Sequence, residues 1–385
     1  MSFLTHMKKF LPVSSRSFHQ HEEISEANQQ NLMRRLDEIS NQIAGLHESQ
    51  DDIRNRVIWQ DGEANYRLER FQYLFWQLYR HEGESEEDAK VRFFHSLTPH
   101  GDNLKLMQDA GAALLHHFAD ICKRNNLLYW ANGGTLLGAV RHGNFVPWDD
   151  DIDVYMPYDQ LVQLEKIIST QEPHFRIRIM WDWIAACRQI RFMTSDPNCP
   201  AFVDIFPVYW VATDPQTAGD AAVQARLDFQ EDLWRTFAST SWATSDNYDD
   251  HLIADDDSPL AQRLRDFLSA AQQQLGKSVG FVENAEHATG FVRGIENIPE
   301  PHPAHPYPKK DWVDIHPIAF RDFTLSAPSM EVTKTFLKRT YGDWLSLPRD
   351  MFEMQNHRHF SSTDENAQVT RDSLTRLIQS AQNLQ

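Results

Sequence analysis

Residues 130–156 read WANGGTLLGAVRHGNFVPWDDDIDVYM, a glycine pair followed by crowded aspartates. Asp149, Asp150, Asp151 and Asp153 fall within five positions. Carboxylates this close repel one another unless a cation lies between them or water solvates them, and the flanks here are apolar. The run Leu127 to Ala131 predicts a buried strand that breaks at Asn132-Gly133-Gly134. Thr135 is then placed to cap a helix over Leu136 to Arg141. Gly133 and Gly134 allow close backbone approach to an anion, and the helix start aims N–H groups at it, so the turn reads as a phosphate cradle. Arg141 and His142 sit at the far end of that helix, where a cation complements the dipole in any case. Contact with a phosphate is their second reading, of equal weight.

Alternation in Asp151-Ile152-Asp153-Val154 puts both aspartates on one face of a strand. Oxygen ligands at this spacing suit Mg²⁺ or Mn²⁺. A further acid is expected from a neighbouring strand, and Asp204, within the apolar run AFVDIFPVYWVA (201–212), is the candidate. Taken singly, an aspartate run is most often a solvated loop and a glycine pair an ordinary turn. Asp204 has its own bland reading, a solvent-facing residue on an edge strand. The conjunction of turn, acid pair and third acid favours a metal–phosphate site.

The segment from Gly133 to Met156 resembles the signature of the LicD family, which includes the fukutin-type proteins and lies in the nucleotidyltransferase-fold superfamily. The superfamily pattern maps onto Gly133 and Gly134, onto Asp151 and Asp153, and onto Asp204 in DIFP, with Asp149 completing D-x-D-x-D. FLKRTYGDWLSLPRD, around Tyr341 to Pro348, is similar to the family's closing YGDW motif, so the resemblance spans about residues 105 to 360. It implies a metal-dependent transferase that moves a phospho-alcohol group, phosphocholine- or phosphoribitol-like, from a CDP-linked donor to a hydroxyl of a cell-surface glycan such as lipopolysaccharide or capsule. In that scheme Asp149, Asp151, Asp153 and Asp204 hold the metal; Asp151, Asp153 and Asp204 are catalytic, and Asp204 is either a metal ligand or the base that deprotonates the acceptor. Gly133, Gly134, Thr135, Arg141 and His142 face the nucleotide or its phosphates. Two other functions stay open: nucleotidyl transfer to the acceptor, and a non-catalytic coiled-coil scaffold carrying a degenerate domain. For YGDW itself, packing of Phe336, Tyr341 and Trp344 with Gly342 as a helix C-cap is favoured over substrate contact.

The 385 residues carry 37 basic and 55 acidic side chains, a net charge of −18, which argues against nucleic acid as a partner. Arg188, Arg191, Lys309 and Lys310 are the candidate local cations for a diphosphate. Cys122, Cys187 and Cys199 show no CxxC spacing and read as reduced thiols of a cytoplasmic protein. His302, His305 and His316 sit among prolines and read as loop rather than metal cage, and His357, Arg358 and His359 contact phosphate only if the C-terminal segment folds back. Neither a membrane span nor a secretory signal is expected.

Residues 1–23 form a basic amphipathic leader in which Phe3, Leu4, Met7, Phe10 and Leu11 share a helical face. This is the outline of a peripheral anchor at the inner face of a membrane, and equally of a frayed terminus. Over 24–82, Leu32, Leu36, Ile39, Ile43, Leu46, Ile53 and Val57 alternate by three and four with Gln50 in the seam, predicting a coiled-coil helix and a homodimer or homotrimer. The catalytic domain is expected over 95–385. Its opening helix should be capped by Asn103 and carry Leu104, Met107, Gly111, Leu114, Leu115, Phe118 and Ile121 on one face. A helix from Tyr158 to Thr170, strands near 175–180 and 190–193, and helices at 215–239 and 259–275 follow. The fold expected is α+β, a small mixed nucleotidyltransferase-like sheet flanked by helices and preceded by the coiled-coil helix.

Overall fold

The computed structural model describes residues 15–99, 101–297, 304–347 and 367–382. Most of the leader, together with His302 and His357 to His359, lies outside these residues. The chain divides into two units, Met1–Leu78 and Tyr79–Gln385.

The first unit is built on helix α1 (Ser15–Tyr79), 65 residues in one run. Of its seam residues, Ile53 and Val57 are 61% and 57% exposed.

In the second unit, α2 (Glu86–Ser96) begins where the Ser85 hydroxyl accepts the Asp88 N–H at 3.1 Å. Helix α3 (Asp102–Arg124) buries Met107, Gly111, Leu114, Leu115, Phe118 and Ile121, the face its periodicity predicts. Its N-cap is Gly101 rather than Asn103, because the Asn103 side chain is engaged by Arg371. The first strand is shorter than expected. The Leu127 N–H closes the end of α3 on the Cys122 carbonyl, so pairing is confined to β1 (Trp130–Ala131).

Next come α4 (Gly133–His142), β2 (Asp153–Pro157), α5 (Tyr158–Gln171), β3 (Phe175–Asp182), β4 (Cys187–Thr194), β5 (Phe202–Val211) and α6 (Pro215–Phe237). Beyond them lie β6 (Leu252–Ala254), α7 (Pro259–Val279), β7 (Gly290–Arg293), β8 (Tyr307–Pro308), the hairpin β9 (His316–Phe320) with β10 (Phe323–Ala327), α8 (Met330–Tyr341) and α9 (Ala367–Ala381). The mixed sheet has eight strands in the order β1-β2-β5-β4-β3-β6, with β7 on β5 and β8 on β7. It is therefore larger than the small sheet expected. The short strands after residue 250 carry too few residues to show a period of their own, and their place is set by tertiary pairing.

Strand β2 pairs with β5 in parallel, and the other ladders of this sheet are antiparallel. Strand β5 gives one edge to β2 and shares the other between β4, over Phe202 to Asp204, and β7, over Val208 to Val211. One core gathers Trp130, Val154, Phe192, Val203, Ile205 and Phe291. A second forms around Trp181, Phe229, Leu233, Phe237, Leu264 and Leu268, where α6 meets α7. No helix among the described residues is long and apolar enough to cross a membrane.

Candidate active site

Asp153 opens β2, and its register partner on parallel β5 is Asp204. Partners at one level of a ladder project from the same face, so two sequence-distant acids become neighbours. The Asp204 N–H donates to the Ile152 carbonyl at 2.7 Å, fixing that level. Because β5 is paired along both edges, the edge-strand reading of Asp204 does not hold. Arg191, facing Asp204 on β4, donates its Nε to Asp204 Oδ1 at 2.9 Å while its guanidinium lies 3.8 Å above the Phe202 ring. Both members of this pair are only partly exposed, which protects the contact from screening.

The glycine turn closes against the same acids. Gly133 has φ +54, and a Cβ built on it would lie 2.6 Å from Asp153 Oδ2. One on Gly134 would collide with Asp149 Oδ2. Absence of side chains here thus makes room for carboxylates. Helix α4 starts at Gly133 with Asn132 as N-cap, three residues earlier than a Thr135 cap would place it. Buried Thr135 instead bonds to the neighbouring strand, its hydroxyl accepting the Asp153 N–H at 2.9 Å, while the Asn132 N–H reaches the Asp153 carbonyl at 3.0 Å. These two bonds stitch the start of α4 to the start of β2.

The aspartate loop is held from α3. Gln108, 1% exposed, donates Nε2 to the Asp149 carbonyl at 2.7 Å and to the Val146 carbonyl at 3.1 Å. The Asp151 N–H in turn reaches Asp149 Oδ1 at 3.3 Å. Gln108 was not singled out from sequence. A glutamine interrupting the Leu104, Gly111, Leu115 stripe is the signal that marks it.

Burial, and then the Asp204, Asp151 and Asp149 charges, raise the Asp153 carboxyl well above the usual range, with Arg293 opposing them. Arg293 is a second residue that sequence reasoning missed. It ends β7 opposite Val208, with its guanidinium 5.6 Å from the Tyr155 ring and 5.8 Å from Phe206. Tyr341, in the YGDW stretch, also lies within electrostatic reach: burial first, then Asp153 and Asp149, raise its phenol, although 41% of the residue is exposed. Gly342, with φ +66, caps α8 as expected. Among the described residues, no three acids or other ligating groups converge into a ready-made metal cage.

Arg141 and His142 are both buried. His142 Nδ1 lies 2.8 Å from the Phe94 carbonyl, which can only accept, and Arg141 Nε donates to His142 Nε2 at 2.9 Å. These bonds fix a neutral imidazole with the proton on Nδ1. Burial, reinforced by Arg141, pushes His142 down to about 3. Burial also lowers Arg141 to about 10, and its Nη1 donates to the Trp344 carbonyl at 2.8 Å. The pair thus ties α4 to α2 and to the YGDW segment. Of the other candidate cations, only Arg191 reaches the acids. Arg188 pairs with Asp255 at 2.8 Å and Lys309 donates to the Glu286 carbonyl at 3.0 Å. Cys122, Cys187 and Cys199 are free and buried, with burial raising each thiol, that of Cys187 to about 12.

Residues 126–241 match the family described as LicD/FKTN/FKRP, nucleotidyltransferase domain, a span that holds the glycine turn and all the acids but stops short of YGDW. Lipopolysaccharide cholinephosphotransferase LicD of Haemophilus influenzae is 32% identical over 114 residues, covering 27% of this chain and 43% of that protein. Ribitol 5-phosphate transferase FKRP of Homo sapiens is 44% identical over 83 residues, 21% of this chain and 17% of that protein. An uncharacterized protein of Rickettsia prowazekii, RP689, is 41% identical over 53 residues, 14% of this chain and 20% of its own. The chain spans less than half the length of each of these relatives.

Proposed function

We propose that this chain, in which residues 126–241 form a LicD-family domain, transfers a phospho-alcohol group from a CDP-linked donor to a hydroxyl of a glycan. The observation that carries the reading is the pairing of Asp153 with Asp204 on adjacent parallel strands, beside two glycines that leave space for acids alone. Of the three relatives, two are named for the transfer of phosphocholine and of ribitol 5-phosphate. Phosphoryl-group transfer depends on positioning and on neutralising charge rather than on covalent chemistry by the protein, which suits this arrangement.

The donor set is all oxygen, and neighbouring carboxylates raise half-buried Asp153, so the residues suit a hard divalent ion. In this reading Asp151 and Asp153 hold Mg²⁺ or Mn²⁺, with Asp149 and Asp204 beside them, and the ion would draw charge from the donor's pyrophosphate. Arg191 orients Asp204, which either completes the metal shell or takes the proton of the acceptor hydroxyl. Arg293 supplies positive charge on the same face of the sheet, over the aromatic floor of Tyr155 and Phe206. Gln108 and Thr135 position the acids through backbone groups. Helix α1 would bring copies of the chain together through its heptad seam, in which Ile53 and Val57 are exposed.

Offering purified protein a panel of CDP-, UDP- and GDP-linked alcohols with Mg²⁺ tests the reading. CDP-linked donors should release nucleoside monophosphate, and Asp151→Asn or Asp153→Asn should each abolish release while leaving the circular dichroism spectrum intact. Appearance of the nucleoside phosphate on the acceptor would mean nucleotidyl transfer instead. Full cellular function in the double variant would favour a scaffold.

A further inference from the structure

Asp153, Asp204, Arg191 and Arg178 stand at one level of the sheet, on β2, β5, β4 and β3 in turn. Register partners project from the same face, so two acids and then two arginines form a row across four strands. Arg176 shares that face of β3, two residues earlier. Arg191 is committed to Asp204 through its Nε. Among the described residues, neither Arg176 nor Arg178 has an ion-pair or hydrogen-bond partner, and Arg176 Nε is buried without an acceptor. The chain has 55 acidic residues against 37 basic ones, and Arg188, Arg265, Arg321 and Arg376 each hold a carboxylate. Arg178 is exposed; what burial it has, and then the Arg176 and Arg191 charges, lower its guanidinium. Like charges directly opposite one another destabilise a ladder, and an anion lying between them removes that cost. Strand β6 pairs with β3 only from Met180 to Asp182, which leaves the arginines near an open edge. Charges there discourage edge-to-edge pairing, but that duty requires no common level with the acids.

We propose that Arg176 and Arg178 hold an anionic group, a phosphate ester or a carboxylate, carried by the acceptor whose hydroxyl approaches Asp204. The inference rests on the transferase reading. In that reading the ion and the donor's pyrophosphate lie toward β2 and the glycine turn, whereas the arginines lie on the opposite side of Asp204, beyond β4. Arg178 starts two strand spacings, about 10 Å, from Asp204, a separation that a sugar ring and an extended arginine side chain span together. The planar fork of each guanidinium matches two oxygens of either group, and a neutral acceptor would leave both forks idle.

Calorimetric titration of glucose 6-phosphate, glucuronate and glucose into the full chain, at fixed ionic strength and without metal or donor, tests the proposal. At least one of the two anions should bind in the millimolar range, and glucose at least tenfold more weakly. Binding of both means that charge alone is read, and binding of one identifies the acceptor's group. Arg178→Gln should weaken the anion at least tenfold and, by removing a like-charge pair, leave the melting temperature unchanged or raised. Arg235→Gln, on α6 and paired with Asp232, should bind as wild type does. Equal affinity in wild type and Arg178→Gln, equal binding of glucose, or no binding at all overturns the proposal and leaves the arginines as guards of an open edge. Arg176→Gln repeats the test should Arg178→Gln lose its native circular dichroism. Because the titration needs neither ion nor donor, donor cleavage without anion binding sinks this inference alone, and anion binding without donor cleavage sinks the transferase reading.

Discussion

Gly133 and Gly134 are constrained by the acids they touch, and this makes them more demanding than ordinary turn glycines. At Gly133 an L side chain pays for a left-handed backbone, about 1–2 kcal/mol, and also meets Asp153. At Gly134 the backbone is permissive, so an added methyl acts only by moving the Asp149 carboxylate. Gly134→Ala should therefore melt close to wild type while cutting donor cleavage by about a hundredfold, the scale expected when a reacting group is misplaced by an ångström. Gly133→Ala should lose stability as well, and calorimetric melting alongside turnover separates the two. His142 supplies a pH signature. Its folded pKa, about 3, lies below the unfolded value of roughly 6.5, so as pH falls under 6.5 the unfolded chain takes up a proton that the folded chain refuses. The stability held above that pH is progressively lost toward pH 3, with a slope of up to about 1.4 kcal/mol per pH unit. His142→Asn keeps a donor for the Phe94 carbonyl and cannot titrate, so urea midpoints measured from pH 7 to 5 should fall less steeply in the variant.

Among elements, the attachment of the YGDW segment is the contact most open to test. Arg141 at the end of α4 holds the Trp344 carbonyl, and Tyr341 beside it senses Asp153 and Asp149. Arg141→Met should raise hydrogen exchange across residues 341–347 by tenfold or more while exchange in β2 and β5 stays slow. Unchanged exchange in 341–347 would show that the segment is held by other means. Elements with a strong local pattern could be read directly from sequence: the seam of α3, the helices α6 and α7, and the break at Asn132, whereas of the Asp-x-Asp alternation only Asp153 lies in β2 and Asp151 stays in the preceding loop. What could not be read depends on pairing between distant segments. Strand β7 has four residues and no visible period, so Arg293 was invisible until Val208 was placed opposite it. Gln108 acts on backbone carbonyls, and Thr135 accepts a backbone N–H from the next strand. A side chain that serves the main chain of another element leaves no motif. Proximity of Asp153 to Asp204 was expected, yet the level at which they meet is a property of the β2–β5 ladder.

For the whole molecule, α1 raises the question of assembly. A helix of 65 residues with Ile53, Val57 and Leu74 exposed is poorly suited to remain alone in water. Light scattering should give a mass two or three times the chain's 44.8 kDa, and Ile53→Lys with Val57→Lys should return it to one chain without altering donor cleavage. A monomeric wild type would remove the coiled-coil reading and leave the transferase reading untouched. The parallel β2–β5 ladder has a further consequence, for synthesis on the ribosome. Since α5 and the β3–β4 hairpin are made between those two strands, a nascent chain ending before Phe202 already displays Asp151 and Asp153 but has no second wall to hold them. The proposed ion binding should consequently switch on at one step of elongation, when β5 joins β2, instead of growing with length, and every earlier intermediate must carry its cluster of negative charge as dead weight.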